Sequence, residues 1–230
     1  MKVVIKLGGS LIEDKNGEIN LSLIKRYGEV LRKLWSEGNV AHVVVGGGKI
    51  ARTYISVLRS LGASEAICDE IGIMVSRLNA RVLIAALNDD AYPEPAESFE
   101  DARKISSIGK AIVMGGTQAG QSTNAVAALL AEFLNVDLLI NATDVEGVYS
   151  KPPKKDPEAK LLKEVTAEQL SNILKSETEE AGKYALFDTL AIKIVQRSRI
   201  PTMIIDGRNP ENVIKAVKGE EIGTKILFDE

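Results

Sequence analysis

Val3-Val4-Ile5-Lys6-Leu7-Gly8-Gly9-Ser10 is a short β-branched apolar run that ends on two glycines and a hydroxyl. A run this dense, without polar alternation, belongs to a strand covered on both faces. The pattern recurs down the chain. Ala41–Val45 ends on Gly46-Gly47-Gly48-Lys49, and Ala111–Met114 ends on Gly115-Gly116-Thr117, with Gly120-Gln121-Ser122-Thr123 beyond. Leu138–Ala142 ends on Thr143-Asp144 with Gly147 following, and Thr202–Ile205 is a fifth run. Apolar residues at helical spacing fill the intervals: Leu23 to Leu34, Ile71 to Ala86, Val126 to Phe133, and Ile192 with Val195. Thr166 and Gln169 form a capping box that opens a helix at Ala167. Strand and helix alternating in this way predict an α/β fold, a three-layer sandwich around a largely parallel central sheet.

In such a sheet ligands bind at the carboxyl ends of the strands. Glycine lets backbone N–H groups approach an anion without interference from a Cβ, and a helix starting just after adds its positive end. Four such turns on one edge predict a site for more phosphate than one monophosphate carries. A P-loop does not fit, because Val43 and Ile50 occupy positions that require Gly and Ser or Thr. Gly46, Gly48 and Ala51 satisfy the dinucleotide fingerprint, and Asp69 has about the spacing of its acidic residue, but Gly62–Cys68 is a poor strand. A dinucleotide-dependent oxidoreductase therefore stays open as an alternative. No H-R-D or D-F-G occurs, which removes a protein kinase.

The 230 residues fit a single domain, 1–230, with approximate lobes 1–110 and 111–230 sharing one sheet. At 45% apolar and 27% charged the composition is globular, and with 4% aromatics the core is mostly aliphatic. A net charge of −3 argues against a nucleic-acid partner. Cys68 is the single cysteine, so no intrachain disulfide forms. The N-terminus has no signal-peptide pattern and no run reaches the about 18 apolar residues of a membrane span, so the expected location is cytoplasmic, with no membrane partner. The stretch Ser150–Glu158, with three prolines, reads as a solvated loop near a lobe boundary. His42, the single histidine, lies inside a strand and reads as structural.

Together the turns resemble the amino acid kinase family, which includes carbamate, acetylglutamate, aspartate and uridylate kinases. Lys6-Leu-Gly-Gly-Ser10, Val44-Val-Gly-Gly-Gly48 and Thr143-Asp-Val-Glu-Gly-Val-Tyr149 carry the likeness. Within the family the segments Val45–Tyr54, Asp69–Ala80 (with Arg77 and Asn79) and Met114–Thr123 resemble the archaeal-type uridylate kinases. The likeness runs almost end to end, from Lys2 to about Ile226. It implies transfer of the γ-phosphoryl group of ATP to UMP with Mg2+ accompanying ATP, and a homo-oligomer, a hexamer in many relatives.

The resemblance also implies roles. Lys6 and Arg52 are the catalytic cations. Lys6 sits at the end of the first strand, and Arg52 in the first turn of the helix after Gly48, where a guanidinium can fork across two phosphate oxygens. ATP falls to Gly8, Gly9, Ser10, Gly48, Arg52, Thr143, Asp144 and Tyr149. UMP falls to Gly47, to Asp69 as acceptor of the ribose hydroxyls, and to Thr117, Gln118, Ala119, Gly120, Gln121, Ser122 and Thr123. No protein metal ligands are expected, since the sequence has no carboxylate cluster for a metal cage. Asn124 stands where many relatives carry Asp, Pro152 where they carry the Asp of an Asp-Pro pair, and Asp144 and Glu146 replace the commoner Asn and Asp. Asp188 matches a position near the transferred phosphate, and Lys193 reads as exposed. Acetylglutamate or isopentenyl phosphate as acceptor, or a non-catalytic nucleotide-binding protein on the same fold, are the alternatives.

Overall fold

The structure is a computed structural model that describes residues 1–14, 17–151, 156, 158–178 (backbone alone for 175–178) and 186–228. Among the described residues seven strands form one sheet: β1 (Lys2–Leu7), β2 (Val40–Val45), β3 (Val113–Met114), β4 (Leu138–Thr143), β5 (Glu164–Thr166), β6 (Thr202–Asp206) and β7 (Thr224–Leu227). Their order is β3-β2-β1-β4-β6-β7-β5, and every pairing is parallel except β6 with β7. The helices are α1 (Gly9–Ile12), α2 (Leu21–Ser36), α3 (Gly48–Ser60), α4 (Glu65–Leu87), α5 (Phe99–Ser107), α6 (Thr123–Leu134), α7 (Ala167–Thr178), α8 (Thr189–Ser198) and α9 (Glu211–Val217).

Strand alternation divides the core in two. Val3, Ile5 and Leu7 pack with Leu31, Leu34, Leu83 and Val213, which places α2, α4 and α9 on one face. Val4 and Leu139 pack with Ile105, Val126, Leu130, Leu170 and Val195, which places α5 to α8 on the other. The three-layer α/β sandwich and its largely parallel sheet are thus as the sequence predicts. Helix α3 lies outside this arrangement, with Ala51 its one buried residue among those described, and packs on α4.

Capping side chains fix the helix starts. Ser64, Ser98, Ser122 and Asp188 accept from Ile67, Asp101, Ala125 and Ala191 N–H at the starts of α4, α5, α6 and α8. The capping box at α7 is reciprocal: Thr166 N–H donates to Gln169 Oε1 at 2.9 Å, and Gln169 N–H to Thr166 Oγ1 at 3.1 Å. Two differences from the sequence expectation follow from local hydrogen bonding. The run at 111–114 is a strand only over its last two residues, because Ile112 N–H donates to His42 Nδ1 instead of a backbone carbonyl. Burial, then the charge of Lys2, lowers the His42 pKa to about 4, so the ring is neutral at neutral pH and serves the fold. The second difference is the pair of strands β5 and β7, absent from the sequence prediction. Thr224 anchors β7 from a fully buried position, its hydroxyl accepting from Val148 N–H and donating to Leu162 O.

Of the proline-rich stretch, residues 152–155 and 157 lie outside the described residues, Pro152 with them. Its flanks pair: Ser150 N–H donates to Lys160 O, and Tyr149 bridges Leu161. Among the described residues no helix is long and apolar enough to cross a membrane.

Candidate active site

Because β3, β2, β1 and β4 are adjacent and parallel, their carboxyl ends deliver four turns to one edge: Gly115-Gly116-Thr117, Gly46-Gly47-Gly48, Gly8-Gly9-Ser10 and Thr143-Asp144. The two central turns touch. A Cβ on Gly9 would lie 2.0 Å from Gly48 N and 2.6 Å from Gly48 Cα. Gly48 itself has φ +71°, a left-handed conformation that suits glycine.

Not every amide in these turns is available to a ligand. Gly8 N–H continues the ladder by donating to Ala142 O at 2.9 Å, and Gly46 N–H does the same to Leu7 O at 2.9 Å. The phosphate-binding amide expected of Gly8 is therefore occupied within the sheet. Two further amides in the first turn of α3, those of Lys49 and Ile50, are occupied too. The nearly buried Glu13 carboxylate accepts from Lys49 N–H at 3.1 Å and Ile50 N–H at 2.9 Å, so it caps the helix that starts at the Gly48 turn. Arg52 stands exposed in the second turn of α3, one turn further in than expected from the sequence.

Helix α4 clamps two of the turns with side chains to which the sequence alone assigns no role. Asn79, 2% exposed, donates from Nδ2 to Gly46 O at 2.9 Å and to Gly47 O at 3.3 Å. Ser76 Oγ accepts from Gly116 N–H at 2.7 Å, and Arg77 Nε donates to Gly116 O at 3.0 Å while Nη1 pairs with Glu97 at 2.7 Å. Buried polar groups are hydrogen-bonded as a rule, so Ser76 and Asn79 inside an apolar helix were the available signal.

Asp69, half-buried on the same helix, reaches the segment 117–123. Its Oδ2 accepts from Gly120 N–H at 2.8 Å. That segment is a compact loop in which Thr117 Oγ1 donates to Gln121 Oε1 and Gln121 N–H to Gln118 O; Gln118, Ala119 and Gly120 are exposed. Its end abuts the β2 turn, since a Cβ on Gly46 would lie 3.4 Å from Thr123 Oγ1. Ser122 hydrogen-bonds Asp188, so the caps of α6 and α8 hold each other.

On the other side of Lys6 the β4 turn carries Thr143, fully buried, whose hydroxyl accepts from Val145 N–H at 3.2 Å. Asp144 is exposed. Together with Ser10, Arg26 and Arg208 it lines a cavity of about 520 Å3. Arg208 makes a two-pronged bond to Asp206, which raises its pKa, with Glu146 and Asp144 contributing. The Tyr149 hydroxyl meets the Glu146 carboxylate, and this bond raises its pKa. Lys193 is exposed, as read from the sequence.

Lys6 lies between the two halves of this edge, 2% exposed. An ammonium held there faces little competing water, which strengthens its interaction with phosphate charge. The edge thus joins a buried cation, glycine turns and a loop latched by a carboxylate, an arrangement suited to holding two phosphate-bearing molecules end to end.

The family model described as "Amino acid kinase family" matches residues 1–206. Uridylate kinase from Methanobrevibacter smithii is 47% identical over 227 residues, which is 99% of each chain. The crystal structure of uridylate kinase from Archaeoglobus fulgidus superposes with a TM-score of 0.86 at 44% identity, covering 99% of this chain and 100% of that one. UMP kinase from Ureaplasma parvum, 20% identical, shares the fold with a TM-score of 0.80 over 98% of each chain. With its glycine turns on one sheet edge, its buried Lys6 and a family match over residues 1–206, the chain belongs to the amino acid kinase family.

Proposed function

We propose that this protein is a UMP kinase, a nucleoside monophosphate kinase that transfers the γ-phosphoryl group of ATP to UMP and releases ADP and UDP. The observation that carries the acceptor is Asp69. Its carboxylate latches the 117–123 loop through Gly120, which sets an acceptor suited to ribose hydroxyls beside a loop of hydroxyl and amide groups. A relative named uridylate kinase, 47% identical over 99% of the chain, supports the same reading.

In this assignment Lys6 and Arg52 stabilise charge on the transferred group, as phosphoryl transfer demands. Gly9, Ser10, Gly48, Thr143, Asp144 and Tyr149 hold ATP, with Gly8 shaping the turn. Gly47, Asp69 and Thr117 to Thr123 hold UMP. The UMP phosphate is mostly dianionic at neutral pH and needs no general base, in keeping with His42 serving the fold. Magnesium enters as part of the MgATP substrate. The edge offers hydroxyl and amide groups such as Ser10 Oγ and Asn124 Oδ1, which suit an ion that keeps phosphate and water ligands. When bound it neutralises phosphate charge. The approximate lobes, 1–110 on the acceptor side and 111–230 mainly on the ATP side, interleave at this edge: Thr117 to Thr123 reach the acceptor from the second lobe, and Gly9, Ser10 and Gly48 reach ATP from the first. A cytoplasmic homo-oligomer, a hexamer by resemblance, completes the proposal.

The test is ADP release with MgATP and a panel of UMP, CMP, dUMP, acetylglutamate and isopentenyl phosphate. Strong turnover with UMP alone supports the assignment. Turnover with another acceptor keeps the kinase and overturns the acceptor side, and ATP binding without turnover favours a regulatory protein. Asp69→Asn sharpens the test. An amide still accepts from Gly120 N–H but loses the charge that strengthens a bond to ribose, a difference of about 1.5 kcal/mol or about tenfold. The KM for UMP should rise about tenfold, with weaker preference for UMP over dUMP and little change in kcat. An unchanged ribose preference removes Asp69 from the site.

A further inference from the structure

Helix α3 carries Arg52, the proposed catalytic cation, yet it gives no side chain to either half of the core. Ala51 is its one buried residue among those described, and it belongs to neither half. The helix packs on α4 and touches α1. A helix held so lightly is aimed by its first turn, and that turn is fixed from a distant part of the chain. Glu13, 7% exposed, accepts from Lys49 N–H through Oε2 at 3.1 Å and from Ile50 N–H through Oε1 at 2.9 Å. Both amides belong to the set that a helix leaves without a partner inside itself. A charged acceptor bonds them about twice as strongly as a neutral one, and the positive end of the helix favours it further. Gly48 makes room for the carboxylate, since a Cβ there would lie 2.4 Å from Glu13 Oε1. Glu13 is itself anchored. It pairs with Ile19 across an antiparallel bridge, and beside it Asn20 N–H donates to Ile12 O at 2.7 Å.

We infer that Glu13 is a positioning residue: it ties the first turn of α3 to the segment that follows β1, and so sets where Arg52 stands relative to Lys6. This role rests on the kinase assignment above and on the part of Arg52 in it. The segment from Lys6 to Glu13 carries the buried cation of β1 at one end and the cap of α3 at the other. Arg52 stands on the next turn of the same helix, so a tilt of the capped turn moves it directly. A carboxylate repels phosphate, so what Glu13 contributes passes through the helix it caps. A shift of about an ångström in a group that acts on the transferred phosphoryl costs about a hundredfold in rate.

A double-mutant cycle tests this with Glu13→Ala, Arg52→Ala and the two together, by UMP-dependent ADP release and by thermal unfolding. Glu13→Ala should lower kcat by about tenfold to a hundredfold. The KM for UMP should stay within about threefold, and the preference for UMP over dUMP should not change, because Asp69 latches the acceptor loop from α4. In the Arg52→Ala background the same change should cost no more than about twofold in kcat. The unfolding temperature should fall by the same few degrees in both backgrounds, as loss of a helix cap requires. Glu13→Gln keeps one oxygen that can accept an N–H, so it should retain part of the turnover, and it carries the cycle if alanine prevents folding. Turnover that fails to add while stability adds is the signature of positioning through Arg52. A merely structural loss would lower kcat by one factor in both backgrounds. If Glu13→Ala and Glu13→Gln keep kcat within about twofold, or if the losses from Glu13 and Arg52 multiply, the inference is overturned. Wild-type turnover in Arg52→Ala removes Arg52 from the chemistry and overturns the inference with it. A wild type that turns over no UMP refutes the kinase assignment and takes the inference down too, so the failures are told apart.

Discussion

Lys6→Ala should lower kcat with UMP by about a hundredfold to a thousandfold, the usual cost of removing one preorganised group aimed at developing charge, while the dissociation constant for UMP stays within about twofold. The asymmetry follows from position. Lys6 lies at the end of the central strand between the β2 and β4 neighbours, whereas the proposed UMP contacts, Gly47 apart, come from α4 and the segment between β3 and α6 with its first residue, Thr123. Alanine also deletes a buried four-carbon stem, and a cavity there lowers stability in its own right. Lys6→Met, which nearly conserves volume, separates the two effects. If both variants lose turnover alike while Lys6→Met unfolds near the wild-type temperature, the loss is one of charge. Turnover within tenfold of wild type in both would remove Lys6 from the chemistry.

What the sequence makes legible is decided by how local the physics is. A β-branched run followed by glycines announces a buried strand and a tight turn within eight residues, so β1, β2 and β4 and their turns could be read directly. The α7 start was equally plain, because a capping box needs only Thr166 and Gln169. Strands β5 and β7 were not, since Glu164–Thr166 and Thr224–Leu227 are short and carry charge, and their place depends on a buried Thr224 hydroxyl bonded to Val148 and Leu162. The same limit applies to the site. Glu13 reaches Lys49 and Ile50 across 36 and 37 residues, and Asn79 reaches Gly46 across 33. No spacing rule encodes such pairs. The turn at Gly8 showed a glycine but not that its amide stays in the ladder with Ala142.

Gly9→Ala should be the most damaging single methyl group in the site. Backbone preference alone points the other way. Gly9 begins α1, where alanine is the better helix former, and reduced freedom of the unfolded chain would favour the variant by about 0.4–1 kcal/mol. Packing overrides this. The added Cβ would meet Gly48 N at 2.0 Å, Gly48 Cα at 2.6 Å and Gly46 C at 2.8 Å, all backbone atoms with no flexible end to swing aside. Neither turn can retreat freely. The β2 turn is held by Asn79 from α4, the start of α3 is held by Glu13, and the β1 turn is bonded through Gly8 to Ala142. The strain must therefore part the two turns by about an ångström, and a displacement of that size at a reacting centre costs about a hundredfold in rate. We expect kcat/KM to fall at least that far, with a loss of about 1–3 kcal/mol in stability from overpacking. Gly38→Ala is the control. Gly38 lies at the opposite end of β2 with nothing within 4 Å of its Cβ position, but at φ +81°. It should lose comparable stability, about 1–2 kcal/mol for a left-handed residue, and keep full activity. If Gly9→Ala loses no more activity than Gly38→Ala at equal stability, the contact between the two glycine turns is not what sets the geometry of phosphoryl transfer.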